Sequence, residues 1–360
     1  IEVVHSDEDQ EQGRASLNEP TLNREIIESL RHGNVPPMGV RAFYQANPVV
    51  EKALKEDLRY VAGGGSKAKY VSGRYGSGKS LSLSLARDLA LEENFVVSDV
   101  VLDPKITPFH KLELVYQSIM KGLCIQVKGM LQSGGQALFY VLSQWKEEMA
   151  HGSRGSLDPV IVTELPSFPA LVDFLVDEQN LRLYILNWLM GARNVPWTFK
   201  KQFRIKGDVD RPYAISLLSA FSKIICQMGL RGWVILFDEA ESIMDLPTSD
   251  SRSFAYDLLR NIDENKFGLK STYAVFAGTP EFFTDKDRGI PSFPALDDRI
   301  SHRWRDVRPT ARSPILRLSP LTADEYAEML RKILNIYNLA YGTEICLSEK
   351  EIAAFIKEHI

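Results

Sequence analysis

Cysteine is scarce in this sequence: Cys124, Cys226 and Cys346 are far apart and odd in number. They form no CxxC, which excludes a disulfide framework and fits reduced intracellular thiols. No apolar run reaches the length of a membrane span and no signal-peptide pattern opens the chain, so no membrane association is expected and the cytoplasm is the expected compartment. Positive charge is not in excess. The formal net charge of −4 excludes a basic nucleic-acid coat and leaves only local basic patches. There is no internal repeat and no low-complexity segment, which excludes solenoid and linker architectures.

What remains is a globular composition, 44% hydrophobic and 25% charged over 360 residues, enough for one large domain and a smaller one. The chain begins at Ile1 rather than Met and ends at Ile360 within a helical pattern, so a piece of a longer protein is expected. Residues 1–18 are polar and acidic (Asp7, Glu8, Asp9, Glu11) without apolar periodicity and read as a disordered tail. Helical periodicity starts near Leu22 and stops at Val35-Pro36-Pro37; a second helix runs from Pro48 to about Val61.

From Tyr70 the pattern becomes strand, glycine loop and helix, then a strand over Phe95–Leu102 and a helix over 110–123. Such alternation predicts a parallel sheet flanked by helices. Residues 124–205 interrupt it and read as a helical insertion, with helices near 134–150, 168–177 and 179–190. The alternation resumes with helix 212–229, strand Trp233–Phe237, helix 251–264 and strand Tyr273–Ala277. A Pro- and Arg-rich loop over 279–313 precedes a last strand, Ile315–Leu318, and helices from 322 and about 348. The expected organisation is an α/β domain over 19–313 and, over 314–360, the last strand with helices after it.

Gly73-Arg74-Tyr75-Gly76-Ser77-Gly78-Lys79-Ser80 fits GxxxxGK[ST] at every fixed position, after an apolar strand and before an amphipathic helix. Glycines let backbone N–H groups turn around phosphates, and the helix N-terminus adds a favourable dipole. Lys79 is placed to reach the β- and γ-phosphates of ATP and Ser80 to ligate Mg²⁺. The apolar run Val234–Phe237 ends in Asp238-Glu239, at the strand end where open α/β sheets bind ligands. Asp238 would hold Mg²⁺ and Glu239 would polarise the attacking water, with Glu241 the next carboxylate in line. Thr279, at the end of the following strand, is the candidate γ-phosphate sensor; an ordinary turn residue before Pro280 is the alternative. Arginines cluster at 299, 303, 305, 308 and 312. Arg299, with Arg303 behind it, is the candidate finger acting on a neighbouring subunit's nucleotide, against a solvated loop paired to nearby aspartates. Asn265-Lys266-Phe267-Gly268 lacks the aspartate that would read guanine, and no Rossmann glycine motif competes.

Together the P-loop, the Asp238-Glu239 strand, Gly278-Thr279, the arginine beyond it and Leu318-Ser319-Pro320-Leu321-Thr322 resemble the AAA+ class, above all its initiator and clamp-loader branch. Ile26–Gly33 with Val35-Pro36, and Phe95–Ser98 with Asp103, resemble the ATP-binding proteins of BREX phage-resistance systems, the BrxD-like family. That resemblance implies ATP turnover with Mg²⁺ in a homo- or hetero-oligomer, in antiviral defence beside a helicase and other system components. The AAA+ kinship implies that 19–313 is an AAA+ P-loop ATPase domain, that 314–360 holds the last strand and the start of a C-terminal helical lid or winged-helix module, and that Val35–Phe43 lies against adenine.

Phe199-Lys200-Lys201-Gln202-Phe203-Arg204-Ile205-Lys206 interleaves bases with aromatics, after Trp197, and suits DNA; the alternative is a strand or loop with inward phenylalanines and solvated lysines. A nucleotide-gated signalling switch and a replication or transposition initiator are the competing functions.

Overall fold

The central strands carry apolar side chains at nearly every position, and the two-residue strand period sends alternate ones to opposite faces. A strand of that kind is stable only when both faces are covered. The computed structural model of the chain, which describes residues 19–45, 48–150, 159–300 and 312–359, shows both faces covered by helices.

The order begins with α1 (Glu19–Arg31), a 3-10 turn (Val40–Ala42) and α2 (Pro48–Ala62). Strand β1 (Lys67–Ser72) leads through the glycine loop into α3 (Lys79–Glu92), followed by β2 (Val96–Val101) and α4 (Leu112–Lys121). A hairpin of β3 (Leu123–Val127) and β4 (Met130–Ser133) precedes five helices: α5 (Gly134–Ala150), α6 (Pro159–Glu164), α7 (Phe168–Asp177), α8 (Gln179–Leu189) and α9 (Trp197–Gln202). Then come α10 (Arg211–Gln227), β5 (Trp233–Asp238), a 3-10 turn (Ala240–Asp245), α11 (Ser249–Asp263) and β6 (Thr272–Gly278). Next are α12 (Pro280–Thr284), a 3-10 turn (Ile290–Ser292) and α13 (Pro294–Ile300). The chain closes with β7 (Ile315–Arg317), α14 (Ala323–Tyr341) and α15 (Glu349–His359).

The seven strands form one sheet in the order β4-β3-β2-β5-β6-β1-β7. The pairs β2–β5, β5–β6, β6–β1 and β1–β7 are parallel, and the β3–β4 hairpin adds antiparallel strands at the β2 edge. Val71, Val97, Val234, Leu236, Val275 and Leu316 face a layer built from α1, α2, α3 and α14. Tyr70, Val96, Ile235, Phe237, Phe276 and Ile315 face the other layer, which contains α4, α5, α10, α11 and the helices of the insertion. The result is a three-layer α/β fold of the P-loop NTPase type.

Three rings fix the register of the site-bearing strands. Tyr70 of β1 is opposite Phe276 of β6, and Phe276 is opposite Phe237 of β5. Phe237 and Phe276 stack at 4.5 Å, Tyr70 and Phe276 at 5.7 Å, and Phe109 meets both phenylalanines edge-on. Pairs of this kind add about 0.5–1.5 kcal/mol beyond simple burial. The rings lie just before Gly73, Asp238 and Gly278 in their strands, so they hold these three strand ends in fixed relation.

Three expectations need correction or lie elsewhere. The 124–205 interruption is helical only from Gly134; it opens with the β3–β4 hairpin, which extends the sheet. Its turn, Lys128-Gly129, has positive φ at both residues (49° and 80°), the geometry that suits the twist of a two-residue hairpin. Residues 279–313 contain α12, a 3-10 turn and α13 rather than loop alone. The acidic tail over 1–18 lies outside the described residues.

After β7 the chain folds back. Thr322 and Glu325 form a reciprocal capping box that starts α14, satisfying two N–H groups at its first turn. The helix packs on α1: Arg24 Nε donates to the Ala340 carbonyl at 3.0 Å and the Tyr341 hydroxyl to Glu28 Oε1 at 2.6 Å.

Candidate nucleotide-binding site

The glycine loop joins β1 to α3 at the C-terminal edge of the parallel strands. Gly78 ends it with φ 89°, a left-handed conformation that glycine adopts without strain. Gly73 is required for another reason: a Cβ there would lie 2.1 Å from Ser77 Oγ and 3.2 Å from Leu318 Cβ. The Gly73 N–H donates to the Gly278 carbonyl at 3.1 Å, tying the loop to the end of β6. No side chain caps the N-terminus of α3, and no acidic residue stands in its first turn. Its leading N–H groups and positive dipole end therefore favour an anion. Ser77 Oγ is buried without a hydrogen-bond partner inside this cradle, while Arg74, Tyr75 and Gly76 are exposed along its rim.

Two strands away, β5 delivers the acids. Ser80 Oγ donates to Asp238 Oδ2 at 2.6 Å, and the Glu239 N–H donates to Asp238 Oδ1 at 2.9 Å. Glu239 takes φ 58° and ψ 40°, so the chain turns sharply at the strand end and leaves its side chain half-buried beside the loop. A hydroxyl and a carboxylate form the hard oxygen pair that Mg²⁺ prefers. Among the described residues there is no group of three or more His, Cys, Asp or Glu side chains able to hold a metal. An ion at Ser80 and Asp238 would therefore fill its shell from phosphate and water, the usual arrangement for Mg²⁺.

Lys79 is 5% exposed, with its ammonium 3.8 Å from Glu241 Oε1 and 4.6 Å over the Tyr75 ring. The Glu241 side chain is itself only 10% exposed, and neither of its oxygens is engaged in a hydrogen bond of good geometry. Burial pushes its carboxyl above the usual carboxylate range, opposed by its own nearby backbone N–H, which does not reach good hydrogen-bond geometry, and by the Lys79 charge. Sequence reasoning offered Glu241 only as a substitute base. Its position against Lys79 depends on the tight turn after Glu239, which no local pattern announces.

Thr279 is buried at the end of β6, which lies between β1 and β5, so it stands between the glycine loop and the acid strand. The structure does not bring Arg299 to the same place. Arg299 Nη2 lies 3.0 Å from Glu264 Oε1, just after α11, which runs back toward the starting edge of β6. Arg260, Lys266 and Arg299 together hold the Glu264 carboxyl down at about 2. Arg303, Arg305 and Arg308 lie outside the described residues; Arg312 is exposed. Of the segment 35–43, Val40 and Phe43 are core residues, and the Arg41 N–H donates to Asp88 Oδ2 at 3.2 Å, fastening the segment to α3.

The basic–aromatic segment forms α9 and the turn after it. Phe199 and Phe203 are buried, their rings 5.0 Å apart, and Phe203 meets Phe174 edge-on at 5.2 Å. Lys200 pairs with Asp208 at 2.6 Å, while Trp197, Lys201, Arg204 and Lys206 are exposed. Phe203→Ala is accordingly expected to destabilise the fold by about 3 kcal/mol through the cavity it leaves, measured by denaturant unfolding. A wild-type midpoint would contradict that packing.

Among the described residues no helix is long and apolar enough to cross a membrane. A search of curated proteins gives no match. The family model described as BREX system ATP-binding protein BrxC/D matches residues 19–155 and 174–360, which takes in the glycine loop, the acid strand and both C-terminal helices. With a glycine loop and an acid strand joined through Ser80 and Asp238, and a match over nearly the whole chain, this protein belongs to the BrxC/D family of BREX system ATP-binding proteins.

Proposed function

We propose that the chain is a Mg²⁺-dependent ATPase of AAA+ type that works in an oligomer within a BREX phage-defence complex, on DNA or a DNA-bound partner. The observation that carries this is the 2.6 Å bond from Ser80 to Asp238, with Glu239 next to it, because it joins the glycine loop and the acid strand in one site. Lys79 and the N-terminus of α3 bind the phosphates. A Mg²⁺ ion held by Ser80 and Asp238 would offset phosphate charge when bound. Glu239 orients a water and takes its proton, and Thr279 contacts the γ-phosphate or that water. Arg299 acts on the neighbour's nucleotide. Its half-exposed position on a short helix away from its own glycine loop suits a role in trans. Exposed Trp197, Lys201, Arg204 and Lys206 offer a surface for a nucleic-acid backbone and bases.

Phosphate release from Mg-ATP, with and without duplex DNA, tests this. Wild type is expected to turn over faster with DNA. Arg299→Ala is expected to lose about 100-fold in turnover while keeping ATP affinity, since the finger acts mostly in the transition state. Mixing Arg299→Ala with Lys79→Ala subunits should restore part of the rate, because a mixed interface combines an intact glycine loop with an intact finger. No recovery in a verified mixed oligomer removes Arg299 from the site. No phosphate release under any of these conditions removes turnover itself.

A further inference from the structure

Glu241 poses a problem that the ATPase reading leaves open. A carboxylate buried beside two others, Asp238 and Glu239, with neither oxygen engaged in a hydrogen bond of good geometry, is unfavourable. Its one compensating charge is the Lys79 ammonium at 3.8 Å, an ion pair without hydrogen-bonding distance. The chain makes room for this carboxylate. Gly278 lies against it, and a Cβ at that position would sit 3.4 Å from Glu241 Oε2 and 3.0 Å from the Phe282 ring. Lys79 in turn is confined, 5% exposed and with the Tyr75 ring 4.6 Å away.

One ammonium in so small a space cannot fully serve two anions. A γ-phosphate placed in the cradle would need the same charge that Glu241 now takes. A nucleoside diphosphate has no γ-phosphate and makes a smaller claim on it. We propose that Glu241 is a specificity-determining residue of the nucleotide site: it competes with the γ-phosphate for Lys79, so that triphosphate binding must displace it while diphosphate binding leaves the pair in place. This rests on the ATP-site reading above. A ligand shifts such an equilibrium only by its differential affinity for the two arrangements, and here the difference is the γ-phosphate charge.

The displacement has a mechanical path. Glu241 is the second residue of the 3-10 turn Ala240–Asp245, whose far end is held by outside groups. Arg252 Nη1 donates to the Leu246 carbonyl at 2.9 Å and Arg288 Nη1 to the Met244 carbonyl at 3.5 Å. Moving Glu241 therefore strains contacts to α11 and to the segment that precedes the Arg299 helix. Expelling Glu241 from Lys79 would be felt where a neighbouring subunit is expected to dock.

The test is equilibrium titration of Mg-ATP and Mg-ADP into Glu239→Gln protein, which prevents turnover, with and without Glu241→Gln. Glu241→Gln keeps the shape and removes the competing charge. It should tighten ATP binding by about tenfold and leave ADP within about twofold, because a screened unit charge at this distance acts mainly on the added phosphate. Equal shifts for both nucleotides, no shift, or weaker ATP binding overturn the proposal. Should Glu241→Gln not fold, Glu241→Met fills similar space without charge and carries the same comparison. A purely structural role would lower the melting temperature but leave the ATP-to-ADP ratio unchanged. Lys79→Ala in parallel separates the two ideas: undiminished binding of both nucleotides there discards the site assignment itself, whereas an unchanged ratio in Glu241→Gln with Lys79 still required discards only the competition.

Discussion

ATP affinity should fall by about 100-fold or more in Lys79→Ala, since a charge-assisted contact to two phosphates is lost in a confined site. Lys79 is the only cation whose side chain is buried within the glycine loop; Arg74, its neighbour in sequence, lies exposed on the rim. The substitution also strips Glu241 of its compensating charge, so the buried carboxylate would take up a proton rather than remain ionised alone. The variant should stay folded, because Lys79 serves no strand or helix ladder through its side chain. Calorimetric titration with ATP and a circular dichroism spectrum on the same sample check both statements. Wild-type affinity in a folded Lys79→Ala protein would discard Gly73–Ser80 as the phosphate site.

Glu239→Gln should keep ATP bound and slow its hydrolysis by about 10³-fold, within the range expected when a positioned base is lost. The amide has the same shape, so the left-handed turn at φ 58° and the hydrogen bond from its N–H to Asp238 should persist. Single-turnover phosphate release, with nucleotide binding measured separately, resolves the two effects. Turnover within a few-fold of wild type would move the base elsewhere. Glu241 is the adjacent carboxylate, but its contact with Lys79 suits it to charge competition rather than to water activation.

The parts of the fold that depend on local pattern were legible in the sequence. Four apolar residues before Asp238, a fully matched glycine loop and amphipathic helices after each strand gave the parallel sheet and the position of its C-terminal edge. The hairpin after α4 was not legible. Leu123–Val127 has strand-like side chains, but Lys128-Gly129 is not the Asn-Gly or Asp-Gly turn that marks a hairpin, and the long helical stretch that follows masks it. At the site, the Ser80–Asp238 pairing follows from two motifs that sequence alone can match. The Glu241–Lys79 pair does not, because it depends on how sharply the chain turns after β5. Arg299 is the converse case: its residue type and its place along the chain are readable, whereas its pairing with Glu264 is not, because that depends on how the two segments pack together. The buried phenylalanines at 199 and 203 show why alternating bases and aromatics are ambiguous, since one spacing serves both an inward-packed helix and a stacking platform.

The position of β1 within the sheet has a consequence for how this protein comes into being. In the sheet β1 is bonded only to β6 and β7, strands that begin at Thr272 and Ile315. When Gly73–Ser80 is synthesised, both partners of the strand that carries it, which begin at Thr272 and Ile315, are still far from being made. Such late pairing makes for slow closure and a long interval in which an apolar strand is open on both edges. Nucleotide therefore cannot assist early folding by binding a finished cradle. It can act only once β6 is in place and the Gly278 carbonyl receives the Gly73 N–H. Nascent chains that end before Gly278 would be the species most in need of chaperone protection.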